Sequence, residues 1–198
     1  MGDTKEYQPL TRADKVSVVV YRAGIVGSTL TVTIGAVLWL FPQATLSAEL
    51  VAPVALVALY ASVGASVFFI HLYMGAYKKN LKIGYAVAIA CLIPLYLMSN
   101  GNLPAAFASR AAIALFMLPL AGCLGFITAK EGFCFKLLEG YVLALLMPAY
   151  VLIVATGLLE SRGAAYGLAA IAALLVLFTL RKVFMPLHND IGDKTAYA

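Results

Sequence analysis

Six runs of apolar residues, separated by short polar breaks, account for most of this chain. A helix needs roughly 20 residues to cross about 30 Å of hydrocarbon. On that measure the pattern predicts spans at about Ala23–Phe41, Val51–Met74, Ile83–Met98, Ala105–Thr128, Leu137–Leu159 and Ala164–Leu180. An apolar lead-in, Val16–Tyr21, precedes the first. The breaks read as a polar turn at 42–49, the basic group Lys78, Lys79, Asn80 and Lys82, the turn-forming SNGNLP at 99–104, and Glu160-Ser161-Arg162-Gly163. Between the fourth and fifth runs lies GFITAKEGFCFKLLEGY, residues 125–141, where charges, aromatics and a cysteine are packed together. The expected architecture is all-α: one polytopic membrane domain over 1–198, a bundle of six transmembrane helices with polar tails at 1–15 and 183–198.

Composition turns this pattern into a membrane assignment. The chain is 63% hydrophobic and 12% charged, with mean hydropathy +0.95. A soluble core of this size does not absorb that much apolar surface, so lipid must cover it. The net charge of +5 is no nucleic-acid footprint, because its distribution is a topological one. Only Arg110 and Arg162 fall on the side opposite the N-terminus, and the other twelve of the 14 Lys and Arg fall on the same side as it. The positive-inside rule then puts both termini in the cytoplasm. Tyr21, Tyr73, Tyr77, Tyr85 and Tyr141 fall at the inner interface, and Trp39, Phe41, Phe107 and Tyr166 at the outer, as an aromatic belt requires. Cys91, Cys123 and Cys134 have neither metal nor disulfide spacing and are expected to be free thiols. The polar start MGDTKEYQPLTRADK has no apolar h-region, so no cleaved signal is expected, and Glu6 argues against myristoylation.

Candidate chemistry is sparse. Ionisable residues at membrane depth are costly and mark sites or ion pairs. Arg22, His71, Lys130, Glu131 and Glu139 share one inner level. Together they form a candidate cluster for an anion, a proton relay or a partner. Snorkelling by Arg22, helix capping by Glu139 or a purely structural salt-bridge cluster are the plainer readings. Arg22 is expected to pair with Glu139 or Glu131, the acids in reach. His71 is a candidate axial ligand for a pigment such as chlorophyll, or else a satisfied interfacial histidine. Phe133, Cys134 and Phe135 suggest an extended segment lying at the interface, aromatics down, with Gly132 permitting a sharp exit from the fourth helix. Pro94, Pro119 and Pro148 fall near mid-membrane, where packing tolerates them or where they bound a cavity. Gly163–Gly167 and Ser62–Ser66 offer small-xxx-small contacts. His188, Asp190 and Asp193 make no recognised metal spacing. Neither a nucleophile–His–acid set, HExxH, a Walker loop nor a dinucleotide fingerprint occurs, which points away from an enzyme.

Tyr21-Arg22-Ala23-Gly24-Ile25, His71-Leu72-Tyr73 and, most specifically, Lys130-Glu131-Gly132-Phe133-Cys134-Phe135 resemble a family of uncharacterised bacterial integral membrane proteins best represented in cyanobacteria. The similarity runs from about Tyr7 to Leu187, and its Lys-Glu-x-Phe-Cys-Phe pattern usually carries Ala where this chain has Gly132. The resemblance implies a photosynthetic setting, in a thylakoid or plasma membrane, and no assigned activity. Two functions are therefore expected. One is a non-catalytic accessory, assembly or pigment-associated subunit of a larger membrane complex, with chlorophyll or carotenoid met through partner contacts. The other is a small-solute or ion transporter, which an inverted repeat would favour; Pro94 and Pro119 lack counterparts in the first half.

Overall fold

A computed structural model describes residues 10–41, 48–72, 74–100 and 102–191. Its elements are α1 (Arg12–Leu40), α2 (Ala48–Phe69), α3 (Gly75–Ser99), α4 (Leu103–Ser109), a 3₁₀ stretch (Ala111–Met117), α5 (Leu118–Phe135), α6 (Leu138–Ala155), α7 (Ser161–Val183) and α8 (His188–Ile191). Among the described residues there is no strand, and six helical segments are long and apolar enough to cross a membrane. The expected polar turn at 42–49 and the tail beyond Ile191 lie largely outside the described residues.

The helices begin earlier than hydrophobicity alone indicates. α1 starts at Arg12, where Thr11 and Asp14 form a capping box: Thr11 Oγ1 accepts from the Asp14 amide and the Asp14 carboxylate accepts from the Thr11 amide. The lead-in is thus the first turns of a 29-residue helix. α3 likewise starts at Gly75, so Lys78, Lys79 and Lys82 sit in its first turns and not in a loop. Lysine is a good helix former, and the hydrocarbon boundary need not end a helix.

The fourth span is interrupted. α4 stops at Arg110, and a 3₁₀ stretch leads into α5 at Leu118. Pro119 accounts for the tightening, since its ring excludes a normal α-turn onto the Leu115 carbonyl. Leu118 donates to that carbonyl instead. Pro94 and Pro148 stay inside continuous helices α3 and α6.

The stretch after Lys130 differs most from expectation. It is not an extended interfacial segment: α5 continues to Phe135 and turns at Lys136, which is left-handed with φ 55°. Leu137 then donates to the Gly132 carbonyl, a hydrogen bond that closes the helix end, and α6 starts at Leu138. The hairpin is tight because Gly140 lies against α5. A Cβ there would sit 2.5 Å from the Thr128 carbonyl oxygen and 3.0 Å from the Gly132 Cα. Gly132 therefore serves close packing, and the exit belongs to Lys136.

Neighbouring helices run antiparallel in a closed order, α1, α2, α3, α5, α6, α7 and back to α1, with α2 also touching α5 across the middle. Tyr21, Ile25, Val63, Val67, Ile127, Leu143 and Phe178 fill that middle. Ser62 and Ser66 of α2 do form a seam, but with glycines of α1: Gly24 abuts Ser66 and Gly27 abuts Ser62. Gly167 receives the Tyr150 ring, whose hydroxyl donates to the Ala164 carbonyl, whereas Gly163 faces only Leu159. Six antiparallel crossings bring Arg12, the α2–α3 and α5–α6 connections, and α8 to one end of the bundle. Arg110 and Arg162 lie at the other.

Candidate functional site

Five charged side chains converge at the lysine-rich end. Arg22, nearly three turns into α1, is buried and points at α8. Its Nε and Nη2 donate to Asp190 Oδ2 at 2.7 and 2.5 Å, Nη1 to the carbonyls of Val183 and Met185, and Nη2 to that of Pro186. One guanidinium thus satisfies both a carboxylate and the carbonyls of the last residue of α7 and the turn that follows it. Lys182, wholly buried in the last turn of α7, pairs with both Asp190 and Glu131. Its Nζ also stands 3.8 Å from the Phe135 ring centroid, a cation–π contact. Glu131 takes a second cation, Lys130, at 2.6 Å, and the Tyr21 hydroxyl donates to the same Oε1 at 2.6 Å. Ions taken out of water this far need such complete pairing.

The expected partner of Arg22 is corrected by this arrangement. Neither Glu131 nor Glu139 pairs with it; Asp190 does. The residues after α7 were expected to form a polar tail, but Phe184–Pro186 turn the chain and α8 folds back over α1, burying Asp190 and Ile191. Arg22, Lys130 and Glu131 are brought into one region. Glu139 stands aside, taking a two-oxygen hydrogen bond at 2.8 Å from Arg181, a side chain 51% exposed. Sequence reasoning missed Lys182, Asp190 and the network role of Tyr21. The one signal available was the scarcity of acids beside an unavoidable Arg22, a shortage that should have brought Asp190 into the count.

His71 lies in the connection after α2 and is half-buried. Its Nε2 is 3.2 Å from Ser17 Oγ, and that hydroxyl donates to the Asp14 carbonyl. The hydroxyl proton being so used, Nε2 is the donor. Nδ1 is buried with no hydrogen-bond partner among the described residues. Burial first, then the nearby Lys130 and Lys78, hold the imidazole below its usual pKa. A pigment metal at Nε2 would have to displace Ser17. Phe133 is 78% exposed and Cys134 is exposed, while Phe135 turns inward to Lys182. The two phenylalanines diverge as helical spacing demands. Cys91, Cys123 and Cys134 are free thiols.

Six apolar helices joined by short connections, with an ion-paired cluster holding one end together, define a polytopic helical integral membrane protein. Residues 65–198 match the family model described as Uncharacterized integral membrane protein (DUF2301), and the chain belongs to that family. The matched region holds Lys130, Glu131, Lys182 and Asp190; Tyr21 and Arg22 precede it. No curated protein and no solved structure matches the chain.

Proposed function

We propose that this protein is a non-catalytic membrane subunit that supports or assembles a larger membrane complex. The observation behind this reading is the self-sufficiency of the charged cluster. Arg22, Lys130, Lys182, Glu131 and Asp190 are engaged with one another, and the chain's own α8 covers them. Their chemistry is used in holding the end of the bundle shut. What the fold offers outward is apolar helix surface, greatest on α3 and α6, where 17% and 22% of the spanning residues are buried. Both termini cytoplasmic, as the distribution of Lys and Arg favours, and a thylakoid or plasma membrane, as the resemblance implies, complete the reading. Chlorophyll or carotenoid would then be met through the partner complex.

Gentle extraction of a tagged chain from its native membrane tests this. Co-migration with larger subunits on native gels, with or without pigment absorbance, is the expected result. The transporter reading draws on the full burial of Glu131 and Lys182 at a helix end, a place where proton or ion relays are built. Recovery of the chain alone, together with solute or proton flux in proteoliposomes, would overturn the subunit reading in favour of transport.

A further inference from the structure

We infer that the outward face of the first turns of α3 is a binding site for an anionic phospholipid. Lys78, Lys79 and Lys82 line an open groove of about 450 Å³ with Gly75, Ile83 and Ala86. The opposite face of the same turns, carrying Tyr77, Leu81 and Gly84, packs towards Phe126 and Cys123 of α5. The lysine face is thereby turned away from the bundle and towards lipid. None of the ion pairs among the described residues involves these three lysines. Lys82 is steadied by the Phe68 ring, 5.6 Å away, at the α2–α3 seam. The first turn of α3 has no acid, and Met74 gives it no side-chain cap. Its free amides add partial positive charge to that of the lysines.

The shape below the charges selects a lipid over a free phosphate. Past Lys82 the same face continues as Ile83, Ala86, Ala90, Ile93 and Leu97, all exposed. From Lys82 to Ile93 a helix rises about 16 Å, close to the hydrocarbon depth of one leaflet, roughly half of 30 Å. A headgroup phosphate among the lysines with an acyl chain along Ile83 and Ile93 satisfies both parts. Basic clusters just outside the hydrocarbon attract anionic lipid in proportion to their charges.

Binding is measured by native mass spectrometry and thermal shift on the full chain in zwitterionic detergent, titrated with phosphatidylglycerol, phosphatidylcholine or inorganic phosphate. Phosphatidylglycerol should bind and raise the melting temperature, and the other two should not. A triple variant, Lys78→Gln with Lys79→Gln and Lys82→Gln, should lose about a hundredfold in affinity, while the three Lys→Arg changes should keep it. A control triple, Arg12→Gln with Lys15→Gln and Lys136→Gln, removes as much charge from exposed positions at the same end and should leave binding intact. Equal weakening in both Gln triples, binding of phosphatidylcholine with equal affinity, or a shift reproduced by phosphate would overturn the inference.

Discussion

Lys182, wholly buried, engages two carboxylates and an aromatic face. Replacing it by Met leaves Glu131 with one cation, Lys130, and the Tyr21 hydroxyl, and Asp190 with Arg22. Removing one partner from a buried network typically costs about 3–5 kcal/mol, so Lys182→Met should lower the melting temperature in detergent sharply. Arg181→Ala strands the buried Glu139, but beside a guanidinium site that is 51% exposed and that water can refill, so it should cost less, about 1–2 kcal/mol. Similar losses for the two would mean that burial does not govern these charges. His71 gives a pH test. Its folded pKa lies below its usual value, so the unfolded chain binds the proton first. Stability should therefore fall as pH drops below about 6.5, until the folded form also titrates. His71→Gln should flatten the melting temperature between pH 7.5 and pH 5; an unchanged slope would assign the effect to another group.

At the scale of elements, the α5–α6 hairpin rests on two positions of opposite kind. Gly140 admits close approach, and Gly140→Ala should cost more than about 2 kcal/mol by overpacking against backbone. Gly122→Ala, with nothing within 4 Å of the added carbon, should be neutral or stabilising. Lys136 holds a left-handed turn that glycine adopts more readily, so Lys136→Gly should stabilise by about 1 kcal/mol. Thermal melts of the three variants decide these points together. The apolar runs made the six spans legible, because hydrocarbon thickness dictates their length. Their starts were not: Arg12 and Gly75 are chosen by capping and by helix propensity in charged sequence, to which hydropathy is blind. The turn at Lys136 was misplaced onto Gly132 because composition favours glycine at turns, whereas here glycine is needed for contact.

On the scale of the molecule, the closed helix order leaves one end stitched by ion pairs, while at the other, among the described residues, contacts such as Trp39 Nε1 donating to Ser161 Oγ at 3.1 Å tie neighbouring helices. Of the cluster, Arg22, Lys130 and Glu131 were legible because charge at such depth is rare. The fold-back of α8 was not, since a polar tail has no periodicity to betray a tertiary contact. A chain ending after Leu187 should melt lower, by about as much as Asp190→Asn. Cysteines placed at Lys79 and at Asn100 should label from opposite faces of the membrane, Lys79 from the cytoplasm. Labelling of both from one face would break the six-span arrangement.

Arg22 and Asp190 stand 168 positions apart, which has a meaning in time as well as in space. The ribosome delivers the guanidinium with the first helix and its carboxylate only after the sixth span has been made. Throughout synthesis Arg22 waits at the membrane edge without its partner, and Lys182 reaches Glu131 before Asp190 has followed. The bundle end cannot close until α8 has left the ribosome. Any product cut short before Asp190 leaves Arg22 without its carboxylate, and one cut short before Lys182 leaves Glu131 without its second lysine.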